Sequence, residues 1–299
     1  MKLGIIYPQI ELGGDTGALR DYAQATEDLG FDHLVMYDHV IGASHEDRDP
    51  PLWGGYTEKH PFHDPLVAFA YLSGQTERIE FVTAILILPQ RQTVLVARQT
   101  ADVDRMSGGR LRLGVGAGYN PLEYHALGAD FSTRGKRLTE QIPYLRRLWT
   151  EELISFEGEF DQIDRANIVP RPDRLIPIWG GGFAEPAFRR AVRLADGFIF
   201  GYGLSDAASN GWLRVQELLA EAGRPVEEFG AQFLLHPPDG PYTDEEITEG
   251  LLRLQRAGAT HASIFTMGRG FTGVDQHIQY LAGVKSRYEE AESHAVGAS

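Results

Sequence analysis

The sequence predicts an α/β fold, a (β/α)8 TIM barrel with a hairpin insertion between the fourth helix and the fifth strand. Three observations carry that prediction. Short apolar strands alternate with helical segments eight times, the pattern of a parallel sheet covered by helices. The chain has 299 residues, and one such barrel needs roughly 250. The first strand–helix junction, PQIELGGDTG, lacks a GxGxxG spacing, which argues against an open dinucleotide-binding sheet.

The elements follow in order. Leu3 to Tyr7 is a buried strand ended by Pro8, and Ala18 to Leu29 has helical spacing closed by Gly30. His33 to Tyr37 is the second strand. The polar stretch Gly42 to His63 is too long for a plain connection and reads as a functional or disordered loop. Asp64-Pro65 opens a helix that runs to Leu72. Phe81 to Leu88 is the third strand, apolar on both faces. Thr93 to Met106 is helical, and Gly108-Gly109 turns the chain into the fourth strand, Leu111 to Val115. Gly114, Gly116 and Gly118 leave one face of that stretch without side chains, open to a flat ligand or a close-packed backbone. Arg137 to Trp149 is helical, with Pro143 expected to bend or restart it.

Leu153 to Arg174 breaks the alternation and reads as the hairpin insertion. Ile176 to Trp179, Gly197 to Phe200, Ala231 to Leu235 and His261 to Thr266 are the remaining strands. The helices Ala184 to Leu194, Ala207 to Ala222, Asp244 to Ala257 and Val274 to Glu290 follow them in turn. Residues 1–288 are expected to form one domain and 289–299 a flexible C-terminal tail.

Composition narrows the function. The apolar share of 42% suits a large core. A formal charge of −14 argues against nucleic acid and anionic membrane as partners. There is no Cys, which removes disulfides, thiolate nucleophiles and Cys-based metal sites. Neither a signal peptide nor a long apolar run is visible, so a cytoplasmic protein is expected.

Barrel chemistry sits at the carboxyl ends of the strands. That rule selects Tyr7, Asp38, His39, Thr83, Tyr119, Asn120, Gly180 to Phe183, Tyr202, His236 and Arg269. His39 can exchange a proton near neutral pH, with Asp38 beside it to orient the ring; the plainer reading is a hydrogen-bonded loop pair. In IPIWGGGFAEPAFRR a strand, a glycine run and a helix start make an anion site, or simply a tight turn. Arg134 is a candidate charge for that anion. In TAILILPQR, small Ala84 marks a kink against which a ring could lie, or a plain buried strand. His60 and His63 have no other clustered ligands, so no metal is expected. Trp53 and Tyr56 are candidates for a lid over an apolar substrate.

With these residues in place the chain resembles the bacterial luciferase-like superfamily of flavin- and deazaflavin-dependent oxidoreductases. The likeness runs from Met1 to Tyr288. It rests on YDH at the second strand end, TAILILPQRQTVLVARQTADVDRMSGGRLRLGVGAGYN, EYHALGADFSTRGKR, the FEGEF hairpin and IPIWGGGFAEPAFRRAVRLADGF. Within that superfamily it is most similar to the branch that uses coenzyme F420. The resemblance implies a non-prolyl cis peptide joining Ala84 and Ile85, in a bulge behind the cofactor ring. It places His39 and Asp38 near the reactive edge, with Tyr119 a second candidate for proton transfer. Carried over, Ala84, Ile85, Gly118 and Tyr119 would meet the ring or substrate, and Gly181, Gly182 and Phe183 the phosphate; Thr83 and Gly116 beside the ring and Arg134 for the phosphate complete the candidate cofactor-binding set. Family sugar-phosphate dehydrogenases carry a Glu where Tyr119 stands, which argues against that substrate class. The implied function is hydride transfer between coenzyme F420 and a small organic substrate. The alternatives are an FMN-dependent monooxygenase and a non-catalytic flavin- or deazaflavin-binding protein. Family members often form dimers, so a homodimer is the implied assembly.

Overall fold

In a computed structural model, which describes residues 1–297, eight parallel strands close on themselves. They are β1 (Lys2–Ile6), β2 (His33–Met36), β3 (Glu80–Thr83, continued by Leu86–Ile87), β4 (Leu111–Gly116), β5 (Ile178–Gly181), β6 (Gly197–Phe200), β7 (Gly230–Leu234) and β8 (His261–Ile264). Each pairs with its sequence neighbours, and β8 returns to β1 with Leu3 opposite Ala262. Around them run α1 (Thr16–Asp28), α2 (Pro65–Ser73), α3 (Thr93–Met106), α4 (Arg134–Thr150), α5 (Glu185–Leu194), α6 (Asp206–Glu221), α7 (Asp244–Arg256) and α8 (Val274–Gly297). The hairpin Ile154–Glu157 with Gln162–Ala166 is antiparallel and stands outside the barrel sheet. Among the described residues no helix is long and apolar enough to cross a membrane.

The period-two alternation of each strand sorts its side chains into two cores. Ile5, Leu34, Phe81, Leu113, Ile178, Phe198 and Phe233 face outward and pack with the helices. Ile6, Val35, Val82, Trp179, Ile199 and Leu234 fill the barrel itself. This double burial is why the strands read as nearly continuous apolar runs.

The third strand carries the bulge and cis peptide that the resemblance implied, and three elements, the fifth strand, α4 and the expected tail, differ from the sequence expectation. The third strand is interrupted: four steps from Val82 to Leu86 face three from Arg112 to Val115, so one extra residue bulges out at Ala84–Ile85. The peptide between those residues is cis. The fifth strand is Ile178–Gly181, two residues later than expected, because Gly180 and Gly181 pair with Phe198 and Ile199. α4 runs unbroken through Pro143, with Gln141, Ile142, Tyr144 and Leu145 all buried around it. Of the stretch expected to be a tail, residues 289–297 continue α8, and Gln255 Nε2 donates to Glu292 at 2.6 Å. Residues 298 and 299 lie outside the described residues.

The amino end of the barrel holds a polar layer that the apolar pattern did not announce. Arg112 donates to Gln232 Oε1 (3.0 Å) and lies over Trp179; Gln232 and His33 both reach Ser263 Oγ at 2.8 Å. Burial drives the neighbouring His261 down to about 2, helped by the Arg112 and Lys2 charges. On the outer side His277 is fully buried, bonded through Nδ1 to Thr266 Oγ1 (2.8 Å) and edge-on to Phe271, and burial lowers it to about 4. Unfolded histidine titrates near 6.5, so in acid the unfolded chain takes up a proton that the fold excludes. Stability present above pH 6.5 should therefore fall as the pH drops toward 4, by roughly 3 kcal/mol for a shift of this size at His277. Chemical denaturation at pH 7 and pH 4.5 of the wild type and His277→Gln checks this; an equally steep acid loss in the variant would refute it.

Candidate active site at the barrel mouth

Beyond the carboxyl ends of β2 and β4, two loops converge on His39. Its Nδ1 lies 3.0 Å from Glu123 Oε1, and the Glu123 side chain is completely buried. No other protein group among the described residues bonds the ring, which leaves Nε2 as the nitrogen available to a ligand. A carboxylate on one imidazole nitrogen fixes the tautomer and ring orientation, so the other can exchange a proton. The second oxygen of Glu123 is buried without a partner.

Aromatic rings enclose this pair. Phe62, Tyr56 and Tyr119 lie with ring centroids 4.9, 5.3 and 5.8 Å from His39. Tyr56 and Phe62 come from the long loop 42–63, and so does Trp53, edge-on to Tyr119 at 4.6 Å. Gly54, at φ +109°, lets the loop tip lie against Tyr119, since a Cβ there would stand 2.5 Å from its hydroxyl. The loop is thus packed as a cover. Burial, with Glu123 behind it, pushes the Tyr119 phenol up to about 12. Across the mouth, Tyr37 OH lies 3.4 Å from His236 Nδ1, and His236 stacks on Phe265. Burial lowers His236 as well, which favours the neutral ring.

Asp38 does not orient His39. Its two oxygens accept from Ile87 N (2.9 Å) and Arg91 Nη2 (2.6 Å), and Arg91 also reaches Asp64 at 2.9 Å. The carboxylate for His39 comes instead from Glu123. Consecutive residues leaving a strand point to opposite sides, so Asp38 and His39 could not both face the mouth. Asp38 holds the segment just past the Ala84–Ile85 bulge.

That bulge gives the glycines their purpose. A Cβ on Gly116 would stand 2.6 Å from Ile85 Cδ1, one on Gly181 2.5 Å from Ile85 Cγ2, and one on Gly118 2.7 Å from Ile87 Cγ2. The bare strand faces expected to touch a ring directly receive Ile85 and Ile87, so the surface offered to a ligand is Ile85 and the backbone around it. Thr83 is buried, its hydroxyl bonded to Gly114 O at 2.7 Å.

At the far side of the mouth Gly182 turns the chain at φ +146° into α5, whose cap residue Ala184 supplies no side-chain bond. Phe183 is exposed and lies 5.8 Å from Tyr202, which is itself 5.2 Å from His236. Arg134 is folded back over Phe131 at the start of α4, bonded to Phe131 O, and not onto the glycine turn. Tyr7 and Arg269 leave the candidate set. Tyr7 packs in the outer core with its hydroxyl on Leu12 O, and Arg269 lies over Tyr280 and donates to Tyr242 O. Among the described residues there is no cluster of three or more groups able to hold a metal.

A family model described as luciferase-like monooxygenase matches residues 4–263. The chain belongs to that family. It is 32% identical to an uncharacterised protein of Mycobacterium tuberculosis over 82% of this chain and 85% of that one. It is 30% identical to an F420-dependent glucose-6-phosphate dehydrogenase of Nakamurella multipartita over 70% of this chain and 60% of that protein. The fold matches a solved F420-dependent secondary alcohol dehydrogenase, in complex with an F420-acetone adduct, at a TM-score of 0.75. That match covers 96% of this chain and 98% of the other at 17% identity. The protein is accordingly an oxidoreductase.

In this luciferase-like chain the residue that sequence reasoning missed is Glu123. It stands three positions after Asn120, the spacing of a helix-capping acid. Asn120 does cap, accepting from Leu122 N at 3.0 Å, but Glu123 turns inward to His39. The signal available in the sequence was an acid at capping spacing from Asn120, one turn after a strand end.

Proposed function

We propose that this chain binds coenzyme F420 at the barrel mouth and transfers hydride between it and a small organic substrate. The His39–Glu123 pair handles the accompanying proton. The observation that carries the reading is the imidazole held by a buried carboxylate on one nitrogen and open on the other, at the end of β2. The F420-dependent relatives supply the cofactor class.

The residues present fit such a group. Ile85, raised by the bulge and backed by Gly116 and Gly181, offers a flat apolar support. The turn from Gly182 into α5, without a side-chain cap, offers amides to a phosphate. Glu185 in the first turn is neutralised by Arg189 and Arg214, so it does not repel an anion there. Bound deazaflavin would supply hydride exchange at its C5, chemistry no side chain here provides. The protein holds the ring, excludes water with the loop 42–63, and places His39 Nε2 for the proton.

FMN is the alternative cofactor. Reconstitution with each, read by absorption, separates them: tight binding of FMN and none of F420 would reverse the assignment. Glu123→Gln keeps an acceptor near Nδ1 but loses the charge that stabilises a protonated ring. Turnover should fall roughly 10-fold with KM little changed. Wild-type turnover in that variant would remove Glu123 from the chemistry.

A further inference from the structure

We propose that the substrate taken at this mouth is an uncharged, ring-bearing compound, one without phosphate or carboxylate. The inference rests on the mouth being the reacting site and adds to it what the walls can accept.

The charges decide what is refused. The carboxylates there are Glu123 and Glu11. The second oxygens of Glu123 and Glu11 are buried without partners, and Gly268 N donates to the first oxygen of Glu11 at 2.7 Å. Glu11 lies close enough to Tyr56 to help hold its phenol protonated. Arg91 has its Nη2 taken up by both Asp38 and Asp64. A substrate anion beside His39 would therefore leave water for a site with unanswered acceptor oxygens on Glu123 and Glu11, while Arg91 is already paired with two carboxylates. Desolvating a charge without a partner costs more than any local contact returns.

The rings decide what is welcomed. Tyr56 already fits a six-membered ring among its neighbours, perpendicular to Phe62 at 5.0 Å and 6.1 Å from Tyr37. Trp53 is 59% exposed, although its ring meets Tyr119 edge-on, which leaves a free aromatic face at the rim. Edge-to-face and offset pairs favour a second ring over an aliphatic polyol, which would forfeit its hydration.

The test uses matched probes on the full-length protein loaded with F420. Affinities of 2-phenylethanol and phenylacetate, and of glucose 6-phosphate, are measured by saturation-transfer NMR. The neutral alcohol should bind at least 10-fold more tightly than either anion, and Trp53→Ala should weaken it roughly 3- to 10-fold. Equal or tighter binding of phenylacetate or glucose 6-phosphate, or no saturable binding of 2-phenylethanol, would overturn the proposal. The absorption of bound F420 is read separately. If F420 does not bind yet the alcohol still outcompetes the anions, the substrate class stands and the cofactor assignment falls.

Discussion

His39→Ala should lower turnover by roughly 10²-fold or more while leaving the cofactor bound. The reasoning starts from geometry. His39 is the imidazole at the mouth held by a carboxylate on one ring nitrogen and free on the other, and among the described residues that carboxylate makes no other protein bond. Removing the imidazole takes away the proposed proton donor or acceptor and leaves Glu123 buried with neither oxygen bonded, a second reason for the site to fail. The Gly182 turn and Ile85, proposed for the phosphate and the ring, are separate from His39, so the affinity for F420 should hold within a few fold. Two measurements check this: cofactor titration by absorbance, and steady-state turnover with whichever probe the binding screen selects. Normal turnover would show that the proton moves through another group, and Tyr119 at 5.8 Å would be next. Loss of cofactor binding would show that the imidazole is part of the cofactor wall.

Where the sequence succeeded and failed at this site follows from what periodicity can encode. Each of the eight strands is a run of buried apolar residues next to turn residues, and such runs are visible in any window of the chain. Their strand-end positions led to His39, Tyr119 and Gly181–Phe183. The Ala84–Ile85 bulge is different: it depends on one unmatched residue between β3 and β4, which no single-strand pattern records, so small Ala84 left a kink and a plain strand both open and only the resemblance chose between them. The glycines were legible as bare faces, but not what fills them, because Ile85 reaches Gly116 and Gly181 from another strand. Pairing Asp38 with His39 relied on adjacency in the chain, whereas facing in a strand alternates. Glu123 was invisible for the opposite reason, being 84 residues from its partner. The polar layer of His33, Arg112, Gln232 and Ser263 is spread over four strands, one residue each, and only closure of the barrel brings it together.

Asp38→Asn is expected to act on the fold more than on the chemistry. Burial raises the Asp38 carboxyl above its ordinary range even though Arg91 opposes the shift, so the charge is held there at a cost. Arg91 is in turn only 13% exposed, and its Nε has no partner. Neutralising Asp38 leaves that guanidinium with Asp64 alone. Breaking a buried pair from one side typically costs about 3–5 kcal/mol, and the surviving Asp64 contact reduces the expected loss to roughly 2–4 kcal/mol. The amide also presents a weaker acceptor to Ile87 N, so the segment beyond the bulge loosens. Urea unfolding should register the loss, while turnover per folded molecule should fall much less than in His39→Ala. The decisive comparison is Asp38→Asn with Arg91→Met added. Removing both charges lifts the penalty of an unpaired buried cation, so the double variant should recover part of the stability, which a catalytic role for Asp38 would not predict. If the double variant is no more stable than Asp38→Asn, and the single variant is as inactive as His39→Ala while fully folded, then Asp38 belongs to the chemistry after all.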